Sequence, residues 1–242
     1  IGAFTRLNNQ NNMLFATEVV KGESIILEFV DSKNNDVESK FTISDILVAY
    51  TPMTFEISRS VDNSFGNETS IENQAENAIQ NNRGQNAILG DSDECEVNVS
   101  CSEGDNWRDQ INGVVRIMIR NGQTAYWCTG SIMNNTALDF TPYILTADHC
   151  ASSGGRYATP EDLSQWVFYF RYDAVACNDD SPYGTRSLTG AVKLASSTPL
   201  GNDGSDFYLL RLNDAIPNSY SPYFLCWNAL NELSNSGVCL HH

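Results

Sequence analysis

The chain has 242 residues, with 14 Lys and Arg against 30 Asp and Glu and a formal net charge of −16. That balance repels phosphate backbones, and the cations are scattered singly with no basic arm, so nucleic acid is excluded as a partner and the acidity reads as a solubilising surface. The length admits one large or two small domains, no apolar run approaches the roughly 18 residues of a membrane helix, and Ile1-Gly2-Ala3-Phe4-Thr5 lacks the basic start and apolar core of a signal peptide, so the start reads as cropped with any export signal upstream.

Residues 1–58 show short apolar bursts at 24–30 and 41–50, separated by the polar run 31–36. Bursts bounded by Asn, Asp and Ser clusters predict β-strands joined by turns, here a small β-sandwich-like region. Residues 59–93 are crowded with Asn, Gln, Glu, Ser and Asp, which predicts a polar linker with at most a short helix around 71–79. From residue 94 to 242 the β pattern returns at closer spacing, at 114–119, 126–133, 143–146, 166–170, 188–194, 207–212, 223–227 and 237–240. Many short strands with turn signals between them predict a sandwich or barrel. Asn121-Gly122 between the first two is a hairpin signal. There is no internal repeat.

Seven cysteines, Cys95, Cys101, Cys128, Cys150, Cys177, Cys226 and Cys239, all follow residue 94, and none forms a CxxC pair. That usage predicts disulfides in an oxidising, extracytoplasmic compartment. The odd count leaves one thiol free, bound to another molecule, or bound to polypeptide outside this sequence.

A general base must titrate near neutrality, which singles out histidine, and the chain has only His149, His241 and His242. His149 follows the apolar Ile144-Leu145-Thr146-Ala147 and precedes Cys150, so its backbone is placed to be fixed on both sides. A lone histidine is more often packed or solvated than catalytic, but this setting raises it above that reading. Its second nitrogen needs an acceptor to set the tautomer. Asp206 is the candidate, since it opens the apolar run Phe207-Tyr208-Leu209-Leu210-Arg211-Leu212. As an alternative, an aspartate at a strand start can be a mere turn former. Asp148 is nearer in sequence, yet adjacent residues on extended chain point to opposite faces. His241-His242 could suggest a metal site or a tag remnant, but no Cys, Asp or Glu stands at ligand spacing, so neither a metal nor any other cofactor is expected.

Trp127-Cys128-Thr129-Gly130-Ser131-Ile132, Leu145-Thr146-Ala147-Asp148-His149-Cys150 and Ser205-Asp206-Phe207-Tyr208-Leu209-Leu210 resemble, in order, three segments of trypsin-like serine proteases. Cys95-Glu96-Val97-Asn98-Val99-Ser100-Cys101 through Arg108, and the terminal Gly237-Val238-Cys239-Leu240-His241-His242, are similar to the secreted bacterial lysyl-endopeptidase branch. The resemblance covers about residue 92 to the end. It implies the first β-barrel of a double-barrel fold over 94–242, with the second barrel absent, His149 as base and Asp206 as its orienting carboxylate. It also implies the disulfides Cys128–Cys150 and Cys101–Cys177, with the partner of Cys95 in a missing C-terminal half. Cys226 and Cys239 then remain and are expected to bond to each other. Asp148 stands where many relatives carry alanine.

No nucleophile carries over, because Ser131, Ser152, Ser153 and Ser205 occupy no matching motif. The expected function is therefore that of a secreted serine endopeptidase, with lysine as a candidate specificity, whose nucleophile lies outside this chain. Protein or peptide substrates are its expected partners. The competing readings are a non-catalytic, protease-like binding or adhesion module and a secreted passenger held by secretion machinery. Residues before the barrel are expected to act as a pro-segment that keeps the protein a zymogen until cleavage near Arg83 or within 87–93.

Overall fold

The computed structural model describes residues 14, 16–20, 24–28, 41–47, 96–182, 186–197, 204–230 and 236–242. The chain is mostly β, as the sequence predicts. After a short 3-10 helix at Ser102–Trp107 and one helical turn at Arg108–Ile111, β1 (Val114–Asn121) and β2 (Thr124–Met133) form an antiparallel hairpin. Asn121 pairs with Thr124, so the loop has two residues, and Gly122 supplies the positive φ of 65° that such a loop needs.

β3 (Tyr143–Ala147) pairs with β2, and β4 (Ser152–Ser153) and β5 (Arg156–Tyr157) form a small hairpin. β6 (Val167–Phe170) lies on the other side of β1. β7 (Ala174–Ala176) and β8 (Asp179–Pro182) pair with each other. β9 (Ser187–Thr189), β10 (Ala191–Ser196) and β11 (Phe207–Leu212) complete a seven-stranded antiparallel sheet in the order β10-β11-β3-β2-β1-β6-β9.

This order explains the curl of the sheet. β9 and β10 occupy its two opposite edges, yet only Gly190 separates them in the chain. The edges must therefore meet at Gly190, whose φ is 87°. Its N–H donates to the Trp166 carbonyl at 2.8 Å, and its own carbonyl accepts from Asn213 at 3.1 Å.

The strand period of two fills the interior. Val115, Ile117 and Ile119 of β1 are fully buried and meet Ile132, Ile144, Phe168, Tyr208 and Leu210 around Trp166. Each such side chain contributes roughly 1.5–3 kcal/mol by leaving water. Gly130 faces this core because nothing larger fits: a Cβ there would stand 2.7 Å from Ile117 Cδ1 and 2.9 Å from an Ile144 methyl. β6 is buried on both faces, since Val167 and Tyr169 pack outside the sheet with Tyr172, Met118, Trp127 and Ala16.

Asp162 ties the hairpin to the rim. Its carboxylate accepts from the N–H groups of Thr159 (2.8 Å) and Gly122 (2.9 Å) and pairs with Arg156 at 2.7 Å, closing a capping box on the helical turn Pro160–Leu163. Burial alone would raise its pKa, but these bonds outweigh burial and hold it below the unfolded value of 3.8. We predict that Asp162→Ala costs about 2 kcal/mol in denaturant unfolding at neutral pH, because the half-buried N–H groups of Thr159 and Gly122 lose a charged acceptor. A depressed folded pKa stabilises above 3.8 and ceases to do so as pH falls through the folded value. The variant should therefore also lose part of the acid limb of the stability curve.

Several expectations need correction. Residues 24–28 and 41–47, where the sequence predicts strands, are in no regular strand, and Ile26 is 92% exposed. Apart from residues 14 and 16–20, the rest of the N-terminal region expected to be sandwich-like, the linker 59–93 and Cys95 lie outside the described residues. The segment 223–227 is not a strand but a single parallel bridge, Leu225 to Met133, and 237–240 forms none.

Among the described residues two disulfides are present, Cys101–Cys177 and Cys128–Cys150. Cys226 and Cys239 are free and exposed, contrary to the expected bond. Their segments are held at different rungs of β2. Leu225 exchanges backbone bonds with Ile132 and Asn134, at 2.8 and 2.9 Å, whereas the tail is fastened where the His242 N–H donates to Thr129 Oγ1 at 2.9 Å. Among the described residues, no helix is long and apolar enough to cross a membrane.

Candidate active site

β3 ends at Ala147 and the chain turns at once into a 3-10 helix, Asp148–Ala151, that carries His149. Because Ala147 pairs with Phe207, the residue before β11 falls opposite the start of this turn. That residue is Asp206. Its φ is 52°, a left-handed conformation that aspartate tolerates better than most side chains, and it swings the residue out of the strand direction.

The turn grips Asp206 through successive peptides. The Asp148 N–H donates to the Asp206 carbonyl at 2.9 Å, and the His149 N–H donates to Asp206 Oδ1 at 2.9 Å. Asp206 Oδ2 then lies 2.6 Å from His149 Nδ1. One carboxylate thus holds both the backbone and the ring of His149, which fixes the direction of the ring and leaves Nε2 as the nitrogen for proton transfer. Burial would raise the Asp206 pKa, but the backbone and ring bonds from His149, with a further backbone bond from Asp148, outweigh it and hold the carboxyl below its ordinary value. Asp206 therefore stays ionised well into the acid range.

Other bonds fasten the same turn. Cys150 is tied to Cys128 on β2, its carbonyl accepts from the Tyr126 hydroxyl at 2.9 Å, and the Ala151 carbonyl accepts from the Ala158 N–H at 2.8 Å. Asp148 and His149 do diverge, although on a tight turn and not on extended chain: Asp148 is fully buried and His149 is exposed. Tyr126 and Tyr157, which touch this turn, escaped the sequence reading because a tyrosine in a strand carries no signal beyond packing.

Beside the imidazole lies an open recess lined by Tyr126, Trp127, the Cys128–Cys150 disulfide, Ser152 and Ser153. Trp127 is held there from behind by the Arg116 guanidinium, 3.9 Å from its ring centroid and 4.7 Å from that of Tyr172. The serines do not complete a triad. Ser152 Oγ points to the His149 carbonyl at 3.4 Å, Ser131 lies within β2 and Ser205 is exposed. Among the described residues no serine hydroxyl bonds to the imidazole. His241 and His242 lie elsewhere, His241 Nε2 being 3.5 Å from Glu96 and His242 packing edge-on against Tyr172 at 6.0 Å.

The family described as lysyl endopeptidase, C-terminal domain, matches residues 89–242. Among solved structures, a thermostable serine protease, AL20, from an extremophilic microorganism is similar at a TM-score of 0.28 and 20% identity. The similarity covers 43% of this chain and 44% of that one, less than half the length of either.

Proposed function

This chain belongs to the lysyl endopeptidase C-terminal domain family, and we propose that it is the base-bearing part of a serine endopeptidase acting outside the cytoplasm. The two-point hold of Asp206 on His149 is the observation that carries this reading. In the proposed reaction His149 Nε2 takes the proton of a serine hydroxyl as its oxygen attacks a peptide carbonyl. The imidazolium, steadied by Asp206, then gives that proton to the departing amine. Water, deprotonated by the same nitrogen, releases the acyl group. The serine is supplied to the Nε2 side by polypeptide outside residues 1–242. The two disulfides and the family support an extracellular setting.

Lysine is the first specificity to test, from the family description. The recess beside His149 would not provide it, because no carboxylate lines that recess and an ammonium would lack a countercharge there. A fluorophosphonate probe tests the reaction class. In the full-length protein it should label one serine and block peptide cleavage, and His149→Ala should abolish both. Cleavage without a labelled serine would overturn the reading. The alternative is a protease-like binding module, which would give neither cleavage nor label.

We assign residues 1–58 to a pre-protease region, 59–93 to its linker and 94–242 to the barrel. Residues 16–19 and 45 lie against the barrel: the Val19 N–H donates to the Tyr169 hydroxyl at 3.0 Å, Ser187 donates to Glu18, and Asp45 pairs with Arg120 at 2.6 Å. N-terminal sequencing of the active form should give a start between residues 84 and 95. An active form that still carries residues 1–83 would refute the pro-segment assignment.

A further inference from the structure

We propose that Asp148 and Tyr157 form a positioning pair for His149, in which the Tyr157 hydroxyl, reaching from β5, locks the buried Asp148 carboxylate and through its peptide keeps Asp206 against the imidazole. The proposal deepens the reading of His149 as the base and rests on it. Asp148 has no exposed surface, so it meets no substrate and is a positioning residue. A carboxylate so deeply buried is costly unless it is bonded. The Tyr157 hydroxyl donates to its Oδ1.

The surroundings suit a permanent lock. Burial first, and the bond to Asp148 second, push the Tyr157 phenol up to about 12, so at neutral pH it keeps its proton and remains a donor. Tyr208 of β11 packs edge-on to Tyr157 at 5.9 Å, and the Lys193 ammonium of β10 sits 4.8 and 5.1 Å from the two ring centroids. Among the described residues, the charged and titratable groups facing the pair include Tyr208, Lys193 and, on and across the turn, His149 and Asp206.

The lock reaches the base through the two peptide planes that flank the Asp148 Cα. The Asp148 N–H holds the Asp206 carbonyl and the next N–H, of His149, holds the Asp206 carboxylate. Rotation about the Asp148 backbone would disturb both bonds, and Asp206, in its left-handed conformation, has no strand pairing of its own to restore it. The Asp148 side chain, anchored in the core by Tyr157, opposes that rotation at the residue itself.

Proton NMR of the full chain, recorded with the imidazole protonated, tests this directly. The Nδ1 proton shared with Asp206 should give a far-downfield resonance. In Tyr157→Phe and Asp148→Ala its exchange with water should be about tenfold faster or more. Asp148→Asn, which keeps an oxygen for Tyr157, should retain most of the protection. In the catalytically complete protein the first two variants should lower kcat about tenfold to a hundredfold with KM unchanged. Wild-type exchange rates in Tyr157→Phe, a change of one oxygen that spares the fold, would overturn the proposal. So would a loss in Asp148→Asn as complete as in Asp148→Ala. Absence of hydrolysis in every form would strike the proposed function alone, since the resonance is read without turnover.

Discussion

Asp206→Asn should lower kcat for peptide hydrolysis by about 10⁴-fold while leaving the fold intact. The size follows from the two-point contact. Asparagine can still accept the His149 N–H through its oxygen, as Asp206 Oδ1 does at 2.9 Å, so the turn keeps its shape. Its NH2 group then faces Nδ1, where Oδ2 now stands at 2.6 Å. A donor there forces Nδ1 to accept and moves the ring proton to Nε2, the nitrogen that must take the proton of the nucleophile. The base is blocked without being displaced. Stability should change by less than about 1 kcal/mol, because both side chains are substantially exposed and such pairs contribute little. Since the Asp206 pKa is depressed, moderate acid does not neutralise it in the wild type, and the defect should persist across that range. Kinetics of wild type and variant on one peptide substrate measure this, and a loss below tenfold would mean that the carboxylate does not set the tautomer.

The legible and hidden parts of this site differ in how far apart their partners lie in sequence. The alternation in Val114–Asn121 and Thr124–Met133 shows which face is buried, and Asn121-Gly122 shows where the pair turns, because strand period and hairpin geometry are local. His149 stands out because an apolar strand and a cysteine flank it. Asp206 stands out at the head of a strand, although its meeting with His149 depends on the register of β11 on β3, which the sequence motif implies only by resemblance. Tyr157 was invisible, since its partner Asp148 is reached through the β4–β5 hairpin and no spacing marks the contact. Apolar bursts also mislead where burial comes without pairing. Leu225 packs over Gly113, so closely that a Cβ there would stand 2.6 Å from it, but its pairing stops at a single bridge, and Leu240 lines a recess with Ile111 and Tyr172 in a segment with no strand. The Cys226–Cys239 expectation failed for a related reason: pairing by elimination presumes that leftover cysteines are neighbours, and each of these is carried by a segment with its own anchor on β2.

The two disulfides should separate stability from activity in opposite senses. Cys101 and Cys177 are 76 residues apart and Cys128 and Cys150 only 22, so constraint of the unfolded chain favours the first: about 4 kcal/mol against about 3 kcal/mol. The shorter loop, however, ends beside His149. Removing Cys128–Cys150 with paired alanines frees the turn from β2 and leaves the Tyr126 hydroxyl and the Ala158 N–H to hold Cys150 and Ala151. The longer bridge joins the segment before Ser102–Trp107 to the connection between β7 and β8 and holds no residue of the His149 turn. Cys101→Ala/Cys177→Ala should therefore unfold at lower denaturant yet keep near wild-type kcat while folded. Cys128→Ala/Cys150→Ala should lose less stability but about a hundredfold in kcat, the scale expected when a reacting group shifts by about an ångström. Unfolding curves and kcat measured on the same samples, well below each midpoint, decide it. If kcat tracked stability in both pairs, the bridge beside His149 would be a staple for the fold and nothing more.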